Sequence, residues 1–161
     1  MTIFGKRLGE YVEFCKPFLV LVPIAGIVRL AVSLGGAPNS TAKWISVTAL
    51  VGIGVLYYSV RVHTSGFGGY KQLLVISVLL NLAAQVVIIF GIVLAIVTGT
   101  PNIYSAPEYA FGSDGATWSH AAAHLFIGTT AGSLGPWIIG SVVLFITKKV
   151  SRADSKIKSL A

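Results

Sequence analysis

From Gln72 to Val97 the chain carries no Asp, Glu, Lys or Arg, and Leu, Ile, Val and Ala fill most positions. At about 1.5 Å of rise per residue, a helix of this length crosses the roughly 30 Å hydrocarbon core of a bilayer. Lipid offers backbone N–H and C=O groups no partners, so a segment that enters it does so as a helix closing its own hydrogen bonds. Three weaker apolar runs share the chain with this one. Across 161 residues the hydrophobic fraction is 55%, the charged fraction 11% and the mean hydropathy +0.84. Too few charges remain to cover a soluble globule.

The expected fold is an all-α integral membrane protein, a bundle of four transmembrane helices over 17–149 with spans near 18–34, 44–62, 72–97 and 118–147. Residues 1–16 mix Ile3, Phe4, Leu8, Tyr11 and Val12 with Lys6, Arg7, Glu10 and Glu13, which reads as a short amphipathic helix lying at the interface. The first span contains Pro23 and Gly26, tolerated where neighbouring helices satisfy the freed backbone. Gly35, Gly36, Pro38 and Asn39 turn the chain into the second span, bracketed by Trp44 at one end and Tyr57, Tyr58 and Arg61 at the other. Gly66, Gly68 and Gly69 mark the second loop, and 99–117 form the longest connection, with Glu108 and Asp114 but no Lys or Arg. The last span is too long to sit straight in the core, and Gly135–Pro136 is where a kink is expected. Residues 150–161 form a basic tail.

Basic residues orient the bundle. Lys6, Arg7, Lys16, Arg61, Lys71, Lys148, Lys149, Arg152, Lys156 and Lys158 lie in the N-terminal segment, second loop and tail, whereas the first and third loops hold only Lys43. The positive-inside bias therefore puts both termini in the cytoplasm, and the expected location is a bacterial inner membrane. The net charge of +7 is accounted for by these span edges, so the partner is the lipid bilayer and no nucleic acid is implied. Lys6 and Arg7 ahead of an apolar run raise a signal peptide, but Arg29 interrupts the run and no small-x-small cleavage site follows. Cys15 has no second cysteine to pair with, and reads as a packing residue.

Polar residues inside spans are expensive and therefore informative. Asn81 and Gln85 lie four apart, on one face of the third span, where lipid cannot satisfy their amides, so they are expected to face protein. Either they fix helix packing or they line a polar site. Arg29, near the outer end of the first span, is expected to snorkel to the headgroups, to pair with Glu108 or Asp114, or to contact a ligand. With Thr129, Thr130 and Ser133 it makes a candidate polar pathway for a small-solute channel or carrier. No carboxylate stands in the middle of any span, which argues against a proton-coupled transporter with an Asp or Glu relay. The two helical hairpins share neither spacing nor motif, so an inverted repeat is unsupported.

The fourth span concentrates the unusual residues. Gly128 and Gly132 form a GxxxG pair that lets another helix approach closely, inside the bundle or across an oligomer interface. His120 and His124, in the run HAAAH, stand on one helical face: either they are interfacial histidines bonded to water and the outer loop, or their spacing chelates a metal, with Glu108 and Asp114 of the same outer loop region able to complete a site though no spacing requires it. The inner Glu of a metalloprotease helix is missing, and with it a general base. Two histidines on one face cannot be opposed axial ligands of one haem, and His63 belongs to the other end of the bundle. A chlorophyll-type pigment, or a haem shared with another subunit, would therefore use His120 or His124 singly. The paired cysteines of quinone-linked disulfide enzymes, the central Glu of small multidrug exporters and the opposed His pairs of membrane cytochromes are all missing. What remains is a non-catalytic bundle, a structural or accessory subunit packing against itself or other membrane subunits, with a redox or pigment-binding subunit as the alternative.

Overall fold

The computed structural model describes residues 2–110, 112 and 114–158, the stretch 153–158 by its backbone alone. Four helical segments are long and apolar enough to cross a membrane: Leu8–Leu34, Asn39–Thr64, Tyr70–Thr98 and Trp118–Arg152. The first is helix α1 (Leu8–Leu34); the second comprises a single turn α2 (Asn39–Ala42) and helix α3 (Val47–Thr64); the third is α4 (Tyr70–Thr98). The last runs through α5 (Trp118–Ala123), a π-helical turn at His124–Gly128 and α6 (Thr129–Lys158).

Helix α4, the most apolar of the four, packs against α1, α3 and α6 and forms the centre of the bundle. Helices α1 and α6 flank the α3–α4 pair on opposite sides. Their outward faces, with Val20, Leu21, Ile24 and Ile27 on α1 and Ile138, Ile139, Val142 and Phe145 on α6, are exposed. Water would penalise such a surface and lipid does not. Interior contacts are made by Val22, Val51, Val55, Leu73, Ile76, Leu80 and Leu144. Ser46 caps α3 by accepting a hydrogen bond from the amide of Ala49 at 3.2 Å, so this helix starts after Trp44, which is 81% exposed.

The segment expected as a separate interfacial helix folds otherwise. Strands β1 (Thr2–Ile3) and β2 (Lys6–Arg7) pair as a two-stranded hairpin, and the residues after it are the first turns of α1. Aromatic packing explains the difference. Phe14 stacks on Phe67 with centroids 3.9 Å apart, Tyr11 meets the same ring edge-on at 5.5 Å, and both Tyr11 and Cys15 are fully buried. The apolar face of these residues is thus used against the α3–α4 loop. Lys6 and Glu10 still approach to 3.7 Å, across the hairpin–helix junction, where Glu10 also accepts the Arg7 amide at 2.8 Å.

The long loop after α4 is not a solvated connector, because Asn102 to Ala106 are buried against the bundle. Asn102 donates to the carbonyl of Gly91 at 2.8 Å and accepts the amide of Tyr104 at 2.9 Å, while Ser33 of α1 accepts the amide of Ile103 at 2.8 Å. The Tyr104 hydroxyl reaches the carbonyl of Gly26 at 2.9 Å. Its ring lies so close to Gly91 that a side chain there would collide with it, which is why this helical position carries glycine.

Candidate functional site

The bundle interior between α4 and the fourth helical segment holds a continuous chain of polar groups. Asn81 Nδ2 donates to the carbonyls of Gly128 at 3.1 Å and Thr129 at 2.9 Å and to Ser133 Oγ at 3.1 Å. Gln85 Nε2 donates to Asn81 Oδ1 at 3.3 Å, and Gln85 Oε1 meets His124 Nδ1 at 2.9 Å. One turn further along, Ser77 donates to the carbonyl of Ser133 at 2.7 Å. A helix presents its carbonyls only as acceptors, so the Asn81 amide must point its NH₂ at them. Asn81 Oδ1 is then left to accept, Gln85 must donate to it, and Gln85 Oε1 in turn accepts from His124. The proton of His124 is thereby fixed on Nδ1.

Glycine makes this chain possible. A Cβ on Gly132 would stand 2.6 Å from Asn81 Oδ1, and one on Gly128 about equally far from Gln85 Nε2, at 3.0 Å, and His124 Nδ1, at 3.1 Å. The GxxxG pair is therefore spent inside the chain, as the floor on which the two amides lie. Thr129 donates to the carbonyl of His124 at 3.3 Å, and that carbonyl also accepts the Thr129 amide across the π-turn. Such turns insert a residue into a helix and shift the faces on either side of it. The departure from α geometry falls here, whereas α6 continues through Pro136, the position expected to kink.

His120 is held in the same way from a different partner. Its Nδ1 lies 2.8 Å from the carbonyl of Gly115, an acceptor only, so the Nδ1 carries the proton. Gly115 is itself packed onto the backbone of Ser105, which ties this contact to the buried loop. The Nε2 of His120 is buried and has no hydrogen-bond partner among the described residues. The two imidazoles face each other with centroids 5.0 Å apart and planes at 59°. They line one pocket of about 260 Å³ with Tyr109, Ala123, Ile127 and Gly128.

The carboxylates expected to complete this site are engaged by other partners. Glu108 accepts from Asn39 Nδ2 at 3.2 Å and Asp114 from the amide of Ala116 at 2.9 Å. Among the described residues, no three His, Cys, Asp or Glu side chains gather closely enough to hold a metal ion. Neither acid pairs with Arg29, again against expectation. Instead its guanidinium lies 5.2 Å from the ring of Tyr104 and 5.1 Å from that of Tyr109, with the residue only 8% exposed. Aromatic faces stabilise a cation without a carboxylate. Arg29 is not brought together with the hydroxyls proposed to share a pathway with it. Ser133 is buried against α4 and donates to the carbonyl of Thr129 at 2.7 Å, and Thr130 is exposed and bonded to the carbonyl of Phe126 at 2.8 Å. His63 lies beside Lys148 and Lys149, at the opposite end of the bundle from His120 and His124.

The i,i+4 amide pair and the i,i+4 histidine pair were both visible as faces in the sequence, but not that they adjoin. The parts of Gln85, Gly115 and Tyr109 carried no local signal, since each depends on which loop or helix is folded against it. No protein-family model, curated protein or solved structure matches this chain.

Proposed function

We propose that this chain is a non-catalytic membrane subunit, with both termini on the cytoplasmic side of a bacterial inner membrane, that serves a homo-oligomer or larger membrane assembly. One observation carries the reading: the polar side chains that α4 and α6 bring into the bilayer are spent on each other. Ser77, Asn81, Gln85, Ser133 and His124 form one hydrogen-bonded chain between these helices. A channel or carrier needs polar groups turned to a water-filled path, and a hydrolase needs a nucleophile beside a base. Self-satisfied amides instead favour a rigid scaffold. The basic residues clustered in the N-terminal segment, the α3–α4 loop and the tail support the orientation. Exposed apolar faces on α1 and α6 are available to lipid and to neighbouring subunits alike.

Purification from the native membrane in mild detergent tests this. The expected result is an assembly larger than one chain, together with no solute-dependent flux when the protein is reconstituted in liposomes. A strict monomer without companions, or flux in either direction, overturns the reading.

A further inference from the structure

The two histidines at the head of the fourth span are prepared on the same side in the same way. Each donates its Nδ1 proton to a fixed protein oxygen, Gly115 O at 2.8 Å for His120 and Gln85 Oε1 at 2.9 Å for His124. In a neutral imidazole the other nitrogen then carries a lone pair and no proton. For His120 that Nε2 is buried, and among the described residues none bonds it or Nε2 of His124. A buried acceptor without a donor is unfavourable unless something else fills its place. Metal-ligating histidines have this arrangement, with the distal ring N–H given to a carbonyl or similar acceptor that sets tautomer and orientation.

We propose that His120 and His124 together bind a transition-metal ion through their two Nε2 atoms, bordering the pocket that the two residues line with Tyr109, Ala123, Ile127 and Gly128. The ring separation is compatible with one ion held by both imidazoles. A metal about 2.0–2.1 Å beyond each Nε2 lies roughly 3.2 Å from each ring centre. With the ring centres 5.0 Å apart, an ion held by both Nε2 atoms would see them at an angle of about 100°, near the tetrahedral value. The pocket, about 260 Å³, leaves room for the remaining positions to be filled by water or small ligands. Its donors select the class of ion. Magnesium and calcium require oxygen ligands, and the carboxylates of Glu108 and Asp114 are bonded elsewhere. Imidazole with a near-tetrahedral angle suits zinc, cobalt(II) or copper(I). A tetrapyrrole would leave one of the two imidazoles idle, because both lie on one face of one helix.

The test uses the full chain in lipid nanodiscs, stripped with chelator and titrated with cobalt(II), whose visible bands are intense only at four-coordinate sites. We expect one ion per chain with intense bands, displaced by zinc, and a zinc-dependent rise in melting temperature. His120→Ala and His124→Ala should each weaken binding at least about tenfold and abolish those bands. Gln85→Leu retains both ligands but releases the His124 tautomer, and should weaken binding roughly tenfold. His63→Ala should bind as the unaltered protein does. His120 lies outside the Asn81–Gln85 chain, so His120→Ala keeps the test valid even where His124→Ala loosens the fold. Weakly coloured cobalt bound equally by His120→Ala, or no binding at all, overturns the proposal. So does a native preparation with tetrapyrrole absorption that His120→Ala removes.

Discussion

At Gly132 the fourth span approaches α4 so closely that a methyl group would stand 2.6 Å from Asn81 Oδ1. Gly132→Ala must push the amide away or separate the helices, and overpacking of this kind costs about 1–3 kcal/mol. Reversible unfolding in mixed micelles should show the loss, and an unchanged midpoint would mean the helices are not this close. Asn81→Leu tests the other side of the contact. It leaves the carbonyls of Gly128 and Thr129 without the side-chain donor and strands Gln85 Nε2, for an expected loss of about 1–2 kcal/mol. Glycine at 128 and 132 was legible as a close-approach motif, but not what approaches. Helical spacing gives a face, and the identity of the facing residue is a long-range fact.

Between elements, the α4–α5 loop behaves as part of the core. Tyr104→Phe deletes a single hydrogen bond to Gly26, with an expected cost of about 1 kcal/mol and faster cleavage by chymotrypsin at loop aromatics. Glu108 links the loop to α2 through Asn39, and its carboxyl is held below the ordinary 4.5 by a backbone hydrogen bond in its own turn and then by the Asn39 amide. The unfolded chain therefore binds the proton more readily than the folded one. The stabilising link is complete above the ordinary value and is lost as pH falls through the folded one. Proteolysis of the loop should accelerate on acidification from about pH 5 downward, and Glu108→Gln should flatten that dependence. A loop equally protected across this range in both proteins would show that the contact contributes nothing. The sequence marked this stretch only as the longest connection; its burial arises because Gly26 and Gly91, in two different helices, leave a slot that Tyr104 fills.

For the molecule as a whole, the proposed orientation has a direct check. In a Cys15→Ala background, Ser40→Cys, exposed on α2, should react with an impermeant maleimide in intact cells, and Ser151→Cys, exposed on α6, only after permeabilisation. The reverse pattern would invert the bundle. Four helices long and apolar enough to cross a membrane were legible in the sequence alone, because the cost of an unsatisfied backbone in lipid makes a helix of each long apolar run whatever its neighbours are. The same local chemistry identified Asn81 and Gln85 as residues that cannot face lipid cheaply. Tertiary structure decided the rest. It merged residues 8–16 into α1 by stacking Phe14 on Phe67, bonded Glu108 to Asn39 and Asp114 to the amide of Ala116, and boxed Arg29 between two tyrosines. It also set the protons of both imidazoles, through a carbonyl in a loop and an amide on another helix. Those choices depend on which distant groups meet once the helices pack, and no periodicity along a single segment encodes that meeting.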